Sequence, residues 1–421
     1  MISHRLSLFF LIVSGLLVSC SSPKNLNTRL TTANPSIRVL LSENQTESVL
    51  QCESNTMLKV GETVHAVPSG ETIRIRMEGA TLRVLLSKKD LGVSREPISC
   101  YPIDAGGVCS LTSKRYSDTL TFAPHERNFS IRNTLSIEKY LESVVPNELG
   151  SDRKSEDFEA LKAQAILART YALAKATLPT LRSFDVFDDV RDQVFTGVGN
   201  PSSLASKAVR ETDGEVLSFG DQFADALYHS TCGGSTEAPQ LVWNRPQGKS
   251  YLNGVRDGEA PYCQLSPSYR WKENYSRERL EEIIKKNLPS ANAEYYGEQF
   301  PSDWYLLDLR ILKRMPSGRI AELKIIMGNR KERKSYLVYG DKIRWALRRA
   351  DGKTVLRSCL FDLTLTRDEN KWLTSITIAG GGNGHGVGMC QWGALGMSRK
   401  GISAGEILHH YFPGTEIQKI Y

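Results

Sequence analysis

Gly384-His385-Gly386-Val387-Gly388-Met389-Cys390-Gln391-Trp392-Gly393-Ala394 is the stretch on which the reading of this chain turns. Four glycines in ten positions bring a backbone close to a neighbour, and an imidazole, a thiol and an indole sit among them. Glycine inside a helix or strand costs about 1 kcal/mol against alanine, so the composition is that of a site wall rather than a core element. Two upstream segments share its character, Val144-Val145-Pro146-Asn147-Glu148-Leu149 and Tyr228-His229-Ser230-Thr231-Cys232-Gly233-Gly234-Ser235-Thr236-Glu237. Three separated segments of this kind imply one composite pocket.

Outward from these segments the chain reads as a soluble globular α+β protein. Its 421 residues suffice for one large domain or two to three ordinary ones, with 40% hydrophobic and 24% charged residues. The net charge of +7 is mild, and no dense basic run or stacking-aromatic motif accompanies it. Nucleic acid is therefore not expected as a partner, whereas an anionic wall or membrane surface suits the charge.

The N-terminus reads as a leader, residues 1–19. Arg5 supplies a positive n-region, and Leu8 to Val18 form an apolar run too short to span a bilayer. Leu17-Val18-Ser19-Cys20 resembles a bacterial lipobox, which implies cleavage before Cys20 and its lipidation. Residues 20–35 are polar, as a tether should be. Of eight cysteines, a lipidated Cys20 leaves Cys52, Cys100, Cys109, Cys232, Cys263, Cys359 and Cys390. Seven is odd, so at least one is free, metal-bound or intermolecular.

Residues 36–125 read as a β-rich accessory domain and 126–421 as a mixed α+β domain that holds the site. Ile37 to Leu41 and Leu82 to Leu86 are near copies, and Glu71 to Met77 alternates with period two. Cys100 and Cys109 flank a short loop, either as a local disulfide or as a reduced pair. Ser155-Glu156-Asp157 caps a helix whose Phe158, Leu161, Ala165, Ala168 and Ala172 form one apolar face. Lys162 and Arg169, seven apart, project from one side of it, as solvated cations or as cations lining the groove of Glu148. Strands are expected over 306–315, 320–327, 335–339 and 371–379, with helices near 277–286, 344–349 and 403–411.

Glu148 ends an apolar segment at a turn, either as a surface glutamate at a helix end or as a carboxyl whose apolar neighbours raise its pKa toward that of a useful general acid. His229 and Cys232 have the spacing of two ligands to one zinc, and with Cys263 and Cys390 they complete a Cys₃His set. The other reading is a Cys232–Cys263 disulfide with Cys390 free. His385 between glycines serves as a substrate contact, an acid or base, or a hydrogen-bond partner of the carboxyl. Gln391 and Trp392 pair an amide with a flat apolar face, which suits sugar rings, although Trp392 serves equally well in a core.

The segments Tyr140 to Leu149, Glu159 to Tyr171, Tyr228 to Glu237 and Gly384 to Ala394 resemble the SpoIID/LytB family, named for stage II sporulation protein D. Thr212-Asp213-Gly214 and Ser266-Pro267 with Trp271 fit as well, and the resemblance covers roughly 125–421. It implies work on peptidoglycan outside the cytoplasm, as a lytic transglycosylase that cuts MurNAc–GlcNAc bonds of peptide-stripped strands to 1,6-anhydro ends. It implies Glu148 as the catalytic acid and Lys162 and Arg169 as groove cations. Tyr171, His229, His385, Gln391 and Trp392 are the further substrate contacts, and a structural zinc near the His/Cys segment accompanies some relatives. No cofactor is required for such chemistry. Leu149 departs from the methionine common in the family. Two rival functions remain open at this point, a glycan-binding or amidase-activating lipoprotein and a zinc-dependent amidase or peptidase.

Overall fold

The computed structural model describes residues 34–421 apart from 105, 179–180, 201–202 and 246. The expected leader, Cys20 and all but the end of the tether lie outside the described residues. Among those described, no helix is long and apolar enough to cross a membrane.

Period-two alternation builds the first part of the fold. Asn128–Ser136 buries Phe129, Ile131, Asn133 and Leu135 in turn and pairs antiparallel with Ser36–Gln45. These two strands lie in a seven-stranded sheet with Val186–Phe187, Thr119–His125, Ile98–Pro102, Thr56–Val60 and Thr63–Val67. A second sheet of six orders Lys114–Ser117, Val108–Leu111, Glu47–Cys52, Thr72–Glu78, Thr81–Leu86 and Lys89–Ser94. Inward residues of both sheets, Leu58, Ile98 and Phe122 from one and Ile73 and Val84 from the other, belong to one core. The near copies at 37–41 and 82–86 therefore sit in different sheets.

Position 125/126 falls in the turn of a hairpin, where His125 pairs with Asn128. The same apolar core continues from Ile37 through the helices to Phe412. The strand Asn128–Ser136 runs straight into helix α1 (Ile137–Leu149), whose N-cap Ser136 accepts from the Lys139 amide. Helix α2 (Phe158–Thr177) crosses behind it, and helix α3 (Leu204–Glu211) packs on both. The pattern of α2 predicts one apolar face, but Ala163, Ile166, Leu167, Arg169 and Thr170 are also buried. Its alanines admit neighbours on all sides, so α2 is a central helix rather than an amphipathic surface one.

Residues 271–378 build a second core around Leu280, Ile284, Leu323, Tyr336 and Ile376. It joins the helix Arg277–Ala291 to two three-stranded sheets, one of which pairs Trp271 with Gly380. This unit lies in sequence between the His/Cys segment and the glycine-rich stretch. Its expected strands and helices are present, with ends shifted by at most five residues.

Candidate active site and thiolate cluster

Glu148 is the penultimate residue of α1, whose Tyr140, Leu141, Val144, Val145 and Leu149 are buried. Gly150 closes the helix with its amide on the Pro146 carbonyl. The Glu148 carboxylate accepts the Val194 amide at 2.9 Å. Burial raises its pKa, opposed by the hydrogen bonds from Val194 and Gln391, and no cation is among the groups that shift it. Of the two other acids of the helix, Glu142 turns to Arg210 at 3.3 Å and Glu138 to Arg169 at 2.7 Å.

A wall of tyrosines and amides surrounds this end of α1. Buried Gln193 accepts from Tyr140 Oη at 3.1 Å and donates to Tyr228 Oη at 3.0 Å. Tyr171 donates to Asp192 at 2.5 Å, and Asp192 is further held by the Phe187 amide and by Lys175. Gln391 donates from Nε2 to the Glu148 main-chain carbonyl at 3.2 Å and to Gln164 Oε1 at 3.3 Å. The side of α2 that faces the site thus carries Gln164, Ala168, Tyr171 and Lys175, at three- and four-residue spacing.

Lys162 and Arg169 are not brought to Glu148, which corrects the expected pair of groove cations. At 100° per residue they lie about 140–160° around α2 from Gln164. Lys162 pairs with Glu159 at 2.6 Å and packs over Phe158. Arg169 is fully buried, with Nε and Nη2 each 2.7 Å from the Glu138 carboxylate and further bonds to the Glu215 and Val209 carbonyls. Glu138 lies ten residues before Glu148, about 15 Å away along α1.

The glycine-rich stretch approaches other parts of this chain. A Cβ at Gly386 would lie 2.3 Å from the Arg319 guanidinium, and one at Gly393 would lie 1.9 Å from Tyr411 Oη. Its glycines therefore serve close internal packing, unlike the ligand-facing wall that composition implies. Val387 holds both histidines: its carbonyl accepts from His229 Nδ1 at 3.1 Å, and its amide donates to His385 Nδ1 at 3.0 Å. Burial lowers the pKa of both, that of His385 to about 4, so both rings are neutral. His229 is only 4% exposed, and its Nε2 has no hydrogen-bond partner among the described residues. Trp392 is half-buried, with the Arg153 guanidinium 5.5 Å from its ring.

The expected Cys₃His set is corrected in its fourth member. The ligand atoms of Cys232, Cys263, Cys390 and Asp257 all lie within 4.8 Å of one another, and His229 is not among them. Cys232 Sγ and Cys263 Sγ are 3.5 Å apart. A disulfide needs about 2.05 Å, whereas tetrahedral zinc with bonds near 2.3 Å sets sulfurs roughly 3.8 Å apart. Amides of Cys232 and Gly393 point at Cys390 Sγ, that of Gly234 at Cys232 Sγ, and that of Cys263 at Asp257 Oδ2. Tyr411 holds the other Asp257 oxygen. The buried Arg319 donates to the Cys232 carbonyl at 2.7 Å and adds a positive charge near the thiols. These residues fit zinc with an outer shell of donors. Cys390 also caps the helix Gln391–Ser398, so the cluster adjoins the residue that reaches Glu148.

Asp257 and the Asp192-Gln193-Val194 wall escape sequence reasoning. Asp257 precedes Gly258 in an ordinary turn and has no ligand spacing to Cys263. The wall is an irregular segment with neither periodicity nor a catalytic motif. Tyr228, beside the His/Cys pair, was the only local signal.

Fold and site together define an α+β protein with a half-buried carboxyl at the C-terminal end of a helix, ringed by tyrosines and amides. Residues 125–219, which contain α1, α2 and Val194, match SpoIID, stage II sporulation protein, and 262–388 match DUF8618, a domain of unknown function. The first match, with the relatives below, supports a SpoIID family assignment. An uncharacterized protein of Brachyspira hyodysenteriae is 29% identical over 80% of each chain. Stage II sporulation protein D of Bacillus subtilis is 26% identical over 69% of this chain and 77% of its own. The amidase enhancer of Bacillus subtilis is 28% identical over 66% of this chain, which spans 40% of that relative.

Proposed function

We propose that this chain is an extracytoplasmic peptidoglycan lytic transglycosylase, lipid-anchored at Cys20, with Glu148 as its acid and base. The observation that carries the reading is a carboxyl whose pKa burial raises, held by the Val194 amide and with no cation among the groups that shift it. Such a group is protonated at higher pH than an ordinary glutamic acid and can give its proton to a leaving oxygen. Glu148 protonates the glycosidic oxygen between MurNAc and GlcNAc, and the bond to the MurNAc anomeric carbon breaks. The resulting carboxylate takes the proton of the MurNAc 6-hydroxyl as that oxygen bonds to the anomeric carbon, which yields a 1,6-anhydro end. One carboxyl completes the cycle, unlike the two of hydrolytic glycosidases. Asp192 is engaged by Tyr171, Phe187 and Lys175, which agrees with a single acid.

Zinc at Cys232, Asp257, Cys263 and Cys390 has a structural part in this proposal. It would fix the N-terminus of the helix that presents Gln391, and all four positions are protein ligands, so no place is left for a reacting water. A second reading, activation of a cell-wall amidase, is favoured by the likeness to the amidase enhancer.

The two readings separate when purified protein and Glu148→Gln are incubated with peptide-free glycan strands and with intact peptidoglycan. Mass spectrometry should find 1,6-anhydro-MurNAc ends that are absent with the variant. Glycan bound but uncut by both proteins would overturn the transglycosylase and favour the amidase activator.

A further inference from the structure

The N-terminal sandwich contains a second sulfur cluster. We propose that Cys52, Cys100 and Cys109 form a three-thiolate site for one soft d¹⁰ cation, with Cu(I) preferred to Zn(II). The proposal is independent of the catalytic reading.

Cys52 and Cys109 are directly opposed on neighbouring antiparallel strands. The Cys52 amide donates to the Glu71 carbonyl and its carbonyl accepts from Gly70, both on the far flank of the strand. Cys52 and Cys109 are therefore a non-hydrogen-bonded pair, the kind in which side chains come closest. Cys100 arrives from the other sheet, where it pairs with Leu58 and Leu120. The three sulfurs lie within 4.8 Å of one another and are at most 1% exposed.

Two ordinary explanations fit poorly. A sandwich core needs apolar volume, which leucine or valine supplies, and has no need of three sulfurs converging from two sheets. A disulfide framework groups cysteines in twos. Six of the seven cysteines among the described residues fall instead into two groups of three, with only Cys359 apart. Thiols in threes are ligand sets.

The donor count selects the metal. In the catalytic half Asp257 supplies a fourth ligand, as zinc prefers. The N-terminal group contains three sulfurs and neither a carboxylate nor an imidazole. Its polar neighbour Thr56 is 3.6 Å from Cys109 Sγ and donates its hydroxyl to the Ser54 carbonyl. Three soft donors without a fourth suit trigonal Cu(I), which thiolates select. The ion would tie the two sheets together, and its binding would displace thiol protons.

The test uses the full chain, reduced and kept anaerobic, titrated with Cu(I) as its acetonitrile complex and separately with Zn(II). Native mass spectrometry counts retained metal, and thermal melting reports the clamp. The wild type and Cys263→Ser should each retain a Cu(I) in this cluster that Cys100→Ser loses, with a higher melting temperature on loading only where it is retained. Should Cys100→Ser not fold, X-ray absorption on copper-loaded Cys263→Ser decides: three sulfur neighbours support the site, and two overturn it. Equal Cu(I) uptake by Cys100→Ser, retention of Zn(II) but not Cu(I) at the triad, or a Cys52–Cys109 disulfide in the protein as isolated would each overturn it.

Discussion

Gln391 donates to the main-chain carbonyl of Glu148 across 243 residues of sequence. This contact ties the glycine-rich stretch to the end of α1, and Gln164 of α2 holds the same amide from behind. The cysteine cluster next to Gln391 sets where the helix that presents it begins. The proposed acid is thus positioned by three segments that meet only in the folded chain.

Glu148→Gln should lower glycan cleavage by about 10²–10⁴-fold, the usual worth of a general acid. Glutamine retains the carbonyl that accepts the Val194 amide, so glycan binding should persist. A pull-down with insoluble peptidoglycan checks the binding, and product analysis checks the loss. Cleavage near the wild-type rate would remove Glu148 from the mechanism.

The raised pKa of Glu148 also has a stability consequence. A carboxyl whose folded pKa exceeds its unfolded value favours folding fully below the unfolded value, and that contribution is lost as pH rises through the folded one. Glu148→Gln has nothing to lose. Its melting temperature should match the wild type in acid and exceed it near neutrality. Melts across about pH 4–8 test this; a difference independent of pH would show that burial does not govern this carboxyl.

Arg169→Met should destabilise the fold by about 3–5 kcal/mol, because it leaves the Glu138 carboxylate without its cation and with only the Tyr421 hydroxyl donating to it. The double change Arg169→Met with Glu138→Gln should recover part of that. Denaturant unfolding of the three variants measures the coupling. A normal fold with weakened glycan binding in Arg169→Met would instead restore this arginine to the groove.

Gln391→Ala should cut cleavage on the order of 10²-fold through misplacement of the acid, with little change in fold. Steady-state kinetics should show a fall in kcat with KM nearly unchanged. A fall confined to KM would make Gln391 a substrate contact.

Cys263→Ser or exhaustive chelation should remove zinc and lower the melting temperature, and activity per folded molecule should fall no further than in Gln391→Ala, because the metal acts only through the helix that presents Gln391. Metal analysis beside cleavage assays at a temperature well below melting tests this. A larger loss than that of Gln391→Ala in a fully folded, metal-free protein would assign the metal a catalytic part.

Much of this protein was legible in its residues. Alternation marked the strands, three- and four-residue spacing marked α2, and Glu148 stood out where an apolar segment ends in a turn. Polar partnerships between distant segments were not legible. Spacing places Lys162 and Arg169 on one face of a helix, but only packing decides which neighbour that face meets, here α3 through Glu211 and Val209, and Glu138. Residue type makes His229 a metal ligand beside Cys232, but the Val387 carbonyl takes its ring and an unremarkable turn brings Asp257 to the sulfurs. Cys52 and Cys109 are 57 residues apart in the sequence, and strand register alone sets them face to face, with Cys100 above them from the other sheet. Local propensity acts over a few residues and can be read along the chain, whereas a site is assembled by contacts whose partners are chosen only when the core closes.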